Sequence, residues 1–183
     1  TDKTGKAIVI EKTKEGFKVY ENKVGVMTNA PSFDWHITNL RQYMNATPVQ
    51  PTSANWSDLE LTPLGSATGG IGLPGDFSSP SRFVRVAFLR AQILMEDIEN
   101  DGIIEFFHIL NNVAMVKGSV ITKDGKDEIT QYSSCMNLEK GLYYYKSYNN
   151  NQINMLDMHK EDLDGSEMKI FPYNDVQVVN LLN

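Results

Sequence analysis

A change of hydrophobic period constrains this chain more than any other feature. From Gly118 onward the pattern switches from a helical to an alternating one, in five short segments bounded by turns: Gly118 to Lys123, Glu128 to Met136, Gly141 to Tyr148, Ile153 to Met158 and Met168 to Tyr173. A period of two sends successive side chains to opposite faces of a sheet, so these segments are predicted strands. Turns such as Lys123-Asp124-Gly125-Lys126 and Asn149-Asn150-Asn151 are short enough to join them as an antiparallel meander. Ahead of them the period is helical. Ser79-Pro80 predicts an N-cap with proline at the first helical position, and Val84, Phe88, Ala91, Met95 and Ile98 form the apolar stripe of the helix that follows. A second predicted helix, Ile103 to Ala114, is apolar on most sides and is expected to be buried.

The N-terminal part repeats the two periods. Lys6 to Glu11 and Gly16 to Glu21 read as an antiparallel pair around a polar connection, and Val24 to Thr28 as a third short strand. Pro31 keeps Ala30 out of the helical region, so the chain turns there. Ser32 is then expected to cap a helix over Phe33 to Tyr43, with Trp35, Ile37, Leu40 and Met44 on its apolar side. From Asn45 to Ser81 the pattern dissolves into Pro, Ser, Thr, Asn and Gly, a span longer than structureless loops usually reach, which marks a functional or interface segment. Strands, helices and strands in this order give the α+β class.

Composition narrows the chemistry. Lys+Arg 17 against Asp+Glu 23 gives a formal charge of −6, and a chain with no basic excess is poorly suited to binding phosphate backbones, so nucleic acid is disfavoured as a partner. The single cysteine, Cys135, supports neither a disulfide scaffold nor a cysteine zinc site. No apolar run reaches a membrane span, because Arg90 and Gln92 interrupt the best one, Val86 to Met95. A soluble protein is expected.

Several short patterns are weaker than they look. Gly70-Ile71-Gly72-Leu73-Pro74-Gly75 fits GxGxxG with Glu96 at about the right distance for a ribose, but no strand leads into it and no helix opens on its glycines, so it reads as a surface loop. Thr1 as an N-terminal nucleophile reads instead as a chain boundary. Cys135 lies in an alternating strand as a buried thiol. His36 and His108 fall in helical patterns and His159 in an acidic turn, so packing or solvation is favoured over metal. Asn45-Ala46-Thr47 and Asn55-Trp56-Ser57 fit the glycosylation pattern without any sign of secretion.

Two residues keep two readings each. Arg82 stands in the first turn of its helix, where the macrodipole disfavours a cation, and is either solvated or placed there for chemistry. Asn29 is either an ordinary turn residue or an amide able to donate to an oxyanion.

Gly25 to Trp35 (GVMTNAPSFDW), Gly72 to Phe77 with Ser79-Pro80-Ser81-Arg82-Phe83, Phe107-His108-Ile109-Leu110, and Tyr143-Tyr144-Tyr145 through Tyr148-Asn149-Asn150 to Ile153 together resemble the choloylglycine hydrolase family, the bile salt hydrolases and penicillin V acylases. The resemblance runs to about Tyr173. It implies part of an N-terminal nucleophile hydrolase αββα sandwich, with antiparallel sheets and two central helices. Residues 1–183 would form the C-terminal portion of a single domain. It implies a bacterial, cytoplasmic hydrolase of linear amide bonds that attacks through an N-terminal cysteine lying outside this chain and uses no metal and no organic cofactor. Asn29 matches the asparagine that holds the tetrahedral oxyanion, and Arg82 the arginine beside the nucleophile. Cys135 cannot replace that nucleophile, whose own α-amine takes part. The implied substrate is a conjugated bile acid or penicillin V, and the implied assembly a homotetramer in which the Asn45–Ser81 segment embraces a neighbour. A rival reading is a non-catalytic piece that folds or assembles only with partner chains.

Overall fold

The computed structural model describes residues 1–2, 4–95 and 101–183, which fall into two compact units. One holds Ala7–Leu94, the other Thr1–Lys6 with Met95–Asn183. Glu96 and Ile98, singled out by sequence, lie outside the described residues.

In the Ala7–Leu94 unit, β1 (Ile8–Thr13) and β2 (Gly16–Glu21) form the expected antiparallel hairpin, in register from Ile8 opposite Glu21 to Thr13 opposite Gly16. Val24 to Thr28, expected as a third strand, is not one. Asn22 accepts the Gly25 N–H at Oδ1 (2.9 Å) and donates from Nδ2 to the Val26 carbonyl (3.1 Å), so a side chain satisfies backbone groups that a ladder would otherwise pair. Helix α1 (Phe33–Leu40) continues as a 3₁₀ turn over Arg41–Tyr43, so the predicted Phe33 to Tyr43 span is helical throughout. Its cap differs from expectation. Ser32 occupies the N-cap position but turns its hydroxyl to Asp34, and the Phe33 N–H is taken by both carboxylate oxygens of Glu11 on β1, at 3.0 Å each. The buried face is also different: Phe33 and His36 point inward, whereas Trp35, Ile37 and Met44 are exposed.

The long segment is not structureless throughout. Ala54–Trp56 (β3) and Leu59–Leu61 (β4) make a small exposed hairpin. The segment folds back where the Gly70 N–H donates to the Thr47 carbonyl at 2.7 Å, and a Cβ at neighbouring Gly69 would stand 2.0 Å from the Pro48 carbonyl oxygen. Helix α2 (Ser79–Gln92) starts one residue earlier than expected, with Ser78 as N-cap accepting the Ser81 N–H at 3.4 Å. It stops short of the predicted stripe's end: Phe83, Val84 and Ala87 are buried, Ala91 and Met95 exposed. Val9, Val26, Phe33, Phe83 and Ala87 form the core, flanked by Tyr20, Val24, Leu40 and Val86.

In the other unit, α3 (Asp101–Asn111) precedes a three-stranded antiparallel sheet of β5 (Tyr132–Asn137), β6 (Leu142–Ser147) and β7 (Asn154–Asp157), in that order. The expected burial of this helix is incomplete: Phe107 is buried, but Ile104 and Phe106 remain exposed. Two predicted strands are absent. Gly118 to Lys123 makes a single bridge, Ile121 to Asp127, closed by a tight turn in which Thr122 and Lys126 hydrogen-bond. Met168 to Tyr173 is held by side chains instead, Tyr173 stacking on Tyr145 at 5.9 Å and donating its hydroxyl to the Gln131 carbonyl at 3.2 Å.

Candidate active site

The two residues marked by the sequence meet in the Ala7–Leu94 unit. Arg82, in the first turn of α2, donates from Nη2 to Asn29 Oδ1 at 2.8 Å and from Nε to the Phe77 carbonyl at 3.1 Å. The guanidinium is therefore not simply solvated. Because a guanidinium only donates, the Asn29 atom facing it is the carbonyl oxygen, and the amide NH₂ is directed away with its protons uncommitted to Arg82.

Local sequence explains how a helix start and a turn 53 residues apart come together. Ser79 Oγ donates to the Asn29 main-chain carbonyl at 2.9 Å and lies 3.0 Å from Thr28 Oγ1, which in turn donates to the Ser79 carbonyl at 3.3 Å. From α1, His36 Nε2 reaches the same Asn29 carbonyl at 2.9 Å. The turn after Asn29 contains a cis Ala30-Pro31 peptide. The α2 start is itself fixed by Asp76, whose Oδ1 accepts the Ser78 N–H at 2.8 Å and whose Oδ2 accepts the Ser81 hydroxyl at 2.6 Å. Hydrogen bonds from Ser78 and Ser81 hold the Asp76 carboxyl well below the usual carboxylate range. Arg85, one turn beyond, donates to the Pro74 and Asp76 carbonyls at 2.8 and 2.6 Å, and burial lowers its pKa. The arrangement thus offers one amide donor and one fixed cation on a rigid helix start, a pairing suited to stabilising developing negative charge.

Sequence reasoning missed Ser79 and Glu11 as supports of this site. It read His36 as a packing residue, and the ring is indeed buried and stacked on Phe83. The other marked residues are elsewhere. Thr1, His108, Cys135 and His159 belong to the other unit, and the Cys135 thiol, raised in pKa by burial, sits in β5 opposite Tyr144. Gly70 and Gly72 take positive φ (+73° and +88°) within turns, with no helix opening on them, in keeping with a surface loop. Among the described residues no group of three or more His, Cys, Asp or Glu side chains is placed to hold a metal ion, and no helix is long and apolar enough to cross a membrane.

The fold and sequence have close counterparts. A bile salt hydrolase/transferase of Clostridium perfringens is 54% identical over 183 residues, all of this chain and 56% of that protein. One of Lactiplantibacillus plantarum is 44% identical over 166 residues, 91% of this chain and 51% of its own length. The chain thus spans about half the length of the curated relatives it matches. The crystal structure of a cysteine-to-alanine mutant of conjugated bile acid hydrolase from Clostridium perfringens superposes with a TM-score of 0.88 at 54% identity, covering 98% of this chain and 55% of that one. Penicillin V acylase from Agrobacterium tumefaciens shares the fold at a TM-score of 0.63 and 21% identity, over 86% of this chain and 43% of its own. The mixed helical and antiparallel architecture expected from the sequence is that of these N-terminal nucleophile hydrolases. The family model for linear amide C–N hydrolases of the choloylglycine hydrolase family matches residues 1–171, and the chain belongs to that family.

Proposed function

We propose that this chain is the C-terminal portion of a single hydrolase domain, and that the complete enzyme, this chain together with a nucleophile-bearing portion, cleaves the amide joining a bile acid to glycine or taurine. The observation that carries the proposal is the 2.8 Å bond from Arg82 to Asn29 Oδ1. It orients the Asn29 NH₂ as a donor. In the proposed reaction an N-terminal cysteine thiolate attacks the amide carbonyl, and the carbonyl oxygen becomes the oxyanion that Asn29 Nδ2 receives. Arg82, with Nε and Nη2 committed to Phe77 and Asn29, has Nη1 left to favour the thiolate over the thiol. Collapse, with a proton passed to the leaving nitrogen by the cysteine's own α-ammonium, expels glycine or taurine and leaves a thioester, which water hydrolyses to the free bile acid and the thiol.

The relatives named as bile salt hydrolases support the substrate class. Penicillin V is the alternative acyl donor, and the acylase likeness, at 21% identity, bears on fold alone. The deciding experiment incubates the complete enzyme with glycocholate, taurocholate and penicillin V and measures released amine. Turnover of the conjugated bile acids above penicillin V is expected, and the reverse order would replace the substrate assignment. The same proposal places the enzyme in the bacterial cytoplasm, which the free Cys135 suits, as a homotetramer whose exposed Trp56, Leu59, Leu61 and Leu64 are covered by a neighbouring subunit.

A further inference from the structure

Asn29 is held more thoroughly than an oxyanion donor requires. Its side chain is fixed by Arg82, yet its main-chain carbonyl is also engaged twice, by Ser79 Oγ and by His36 Nε2, each at 2.9 Å. A carbonyl oxygen has two lone pairs and no proton, so these contacts saturate it and His36 must donate from Nε2. In the neutral ring Nδ1 is then the bare nitrogen. It is buried with no hydrogen-bond partner, which suits a lone pair far better than an N–H that would be left without an acceptor.

Packing alone does not call for a histidine here. The ring is 2% exposed and lies flat on Phe83, centroids 4.6 Å apart at 11°, with Phe33 beyond Phe83. Phenylalanine would fill the same slot without an orphaned nitrogen. What only the imidazole supplies is the Nε2–H aimed at Asn29, together with a contact to Thr28 Oγ1 at 3.3 Å. Resting on the reading of Asn29 as the oxyanion donor, we propose that His36, as the Nε2–H tautomer, is with Ser79 a positioning residue of the hydrolase. It ties the Thr28–Asn29 backbone to α1 while Ser79 ties it to α2, so that the Asn29 NH₂ meets the reacting carbonyl without reorganisation.

The test uses His36→Phe, His36→Gln and Asn29→Ala in the complete enzyme. His36→Phe keeps the stack and deletes the donor, so kcat falls by about tenfold or more, the scale of misplacing a catalytic group by a fraction of an ångström, while KM stays within about twofold because substrate binding does not use it. In His36→Gln, Nε2 reaches the same carbonyl, and most of kcat returns. Equal loss in both variants, or full kcat in His36→Phe beside an inactive Asn29→Ala, would overturn the proposal. Full activity in Asn29→Ala would instead remove the reading of Asn29 and this inference with it. A measurement without substitution covers the case of misfolded variants: long-range ¹⁵N–¹H NMR should show neutral His36 protonated at Nε2, and a ring protonated at Nδ1 would refute the assignment.

Discussion

Asn29→Asp is the sharpest perturbation of the site, because it exchanges an NH₂ for an oxygen and changes almost nothing else. Arg82 lies 2.8 Å from Asn29 Oδ1, and a carboxylate accepts that bond at least as well as an amide. The main-chain clamp from Ser79 and His36 is untouched. The pair is exposed, so any gain in stability is about 0–1 kcal/mol and the thermal midpoint should not fall. Catalysis should behave very differently. Loss of one oxyanion donor costs about 2.7–4 kcal/mol. A carboxylate oxygen in its place also repels the developing oxyanion, by about 4 kcal/mol at about 4 Å and an effective dielectric near 20. The sum, about 6.7–8 kcal/mol, corresponds to a fall in kcat/KM of about 10⁵–10⁶-fold. Asn29→Ala loses the donor without adding the repulsion and should fall by only about 10²–10³-fold. The isosteric variant is therefore expected to be the worse enzyme, measured by ninhydrin detection of glycine released from glycocholate, with circular dichroism showing both folded. Asn29→Asp equal to or better than Asn29→Ala would refute the assignment of Nδ2 as the oxyanion donor.

Other parts of the structure give further expectations. Glu11→Ala removes the carboxylate that receives the Phe33 N–H, so urea unfolding should show a loss of about 1–2 kcal/mol, the upper range for helix caps; a loss below about 0.3 kcal/mol would mean that Ser32 takes over. Asp76 has a depressed folded pKa, so its stabilisation is present above the ordinary unfolded carboxylate value and is lost as pH falls through the folded one; Asp76→Asn should flatten the acid limb of a stability curve below about pH 4, and an unchanged limb would count against the Ser78–Ser81 network. Burial raises the Cys135 pKa, so at pH 8 iodoacetamide should label it more slowly than free cysteine, whereas labelling at the free rate would contradict its half-buried place in β5. Leu61→Asp combined with Leu64→Asp should shift light-scattering mass from the proposed tetramer towards smaller species, and an unchanged mass would free the β3–β4 hairpin of any interface role.

What the sequence made legible follows the range of the interactions involved. Hairpin β1–β2 and the sheet β5–β6–β7 carry their instructions within a few residues, in alternation and turn chemistry, and both were readable. Alternation reports which side chains share a face and not whether a ladder forms, which is why Met168 to Tyr173 looked like a strand although its anchors are Tyr145 and Gln131. The α1 cap failed for the opposite reason. Ser32 fits every local rule for an N-cap, yet the acceptor is Glu11, 22 residues earlier and invisible to any local window. The Asn29–Arg82 contact spans 53 residues and has no periodic signature at all. Residue chemistry left Asn29 and Arg82 with two readings each, and only the resemblance of separate sequence blocks joined them in one site.

One physical oddity did point at the site from sequence alone, and the structure accounts for it. A cation in the first turn of a helix is opposed by the macrodipole by about 0.3–1 kcal/mol. At α2 that opposition is offset because side chains of the first turn bond neighbouring backbone and side-chain acceptors. Ser79 binds the Asn29 carbonyl, Ser81 binds Asp76, and Arg82 binds the Phe77 carbonyl and Asn29 Oδ1. Each of the two guanidinium bonds, one exposed and one partly buried, contributes on the order of 0.5–1.5 kcal/mol, so the two together match or exceed the dipole term. Arg85, one turn later, secures the Pro74–Asp76 loop from the same helix. The start of α2 therefore works as a node: Ser79 fixes the backbone that presents Asn29, and Arg82 fixes the orientation of the amide. Replacing Arg82 by lysine would restore the charge without the planar fork, leaving one ammonium to choose between Phe77 and Asn29. Charge alone does not specify this site; the two-nitrogen geometry of Arg82 does.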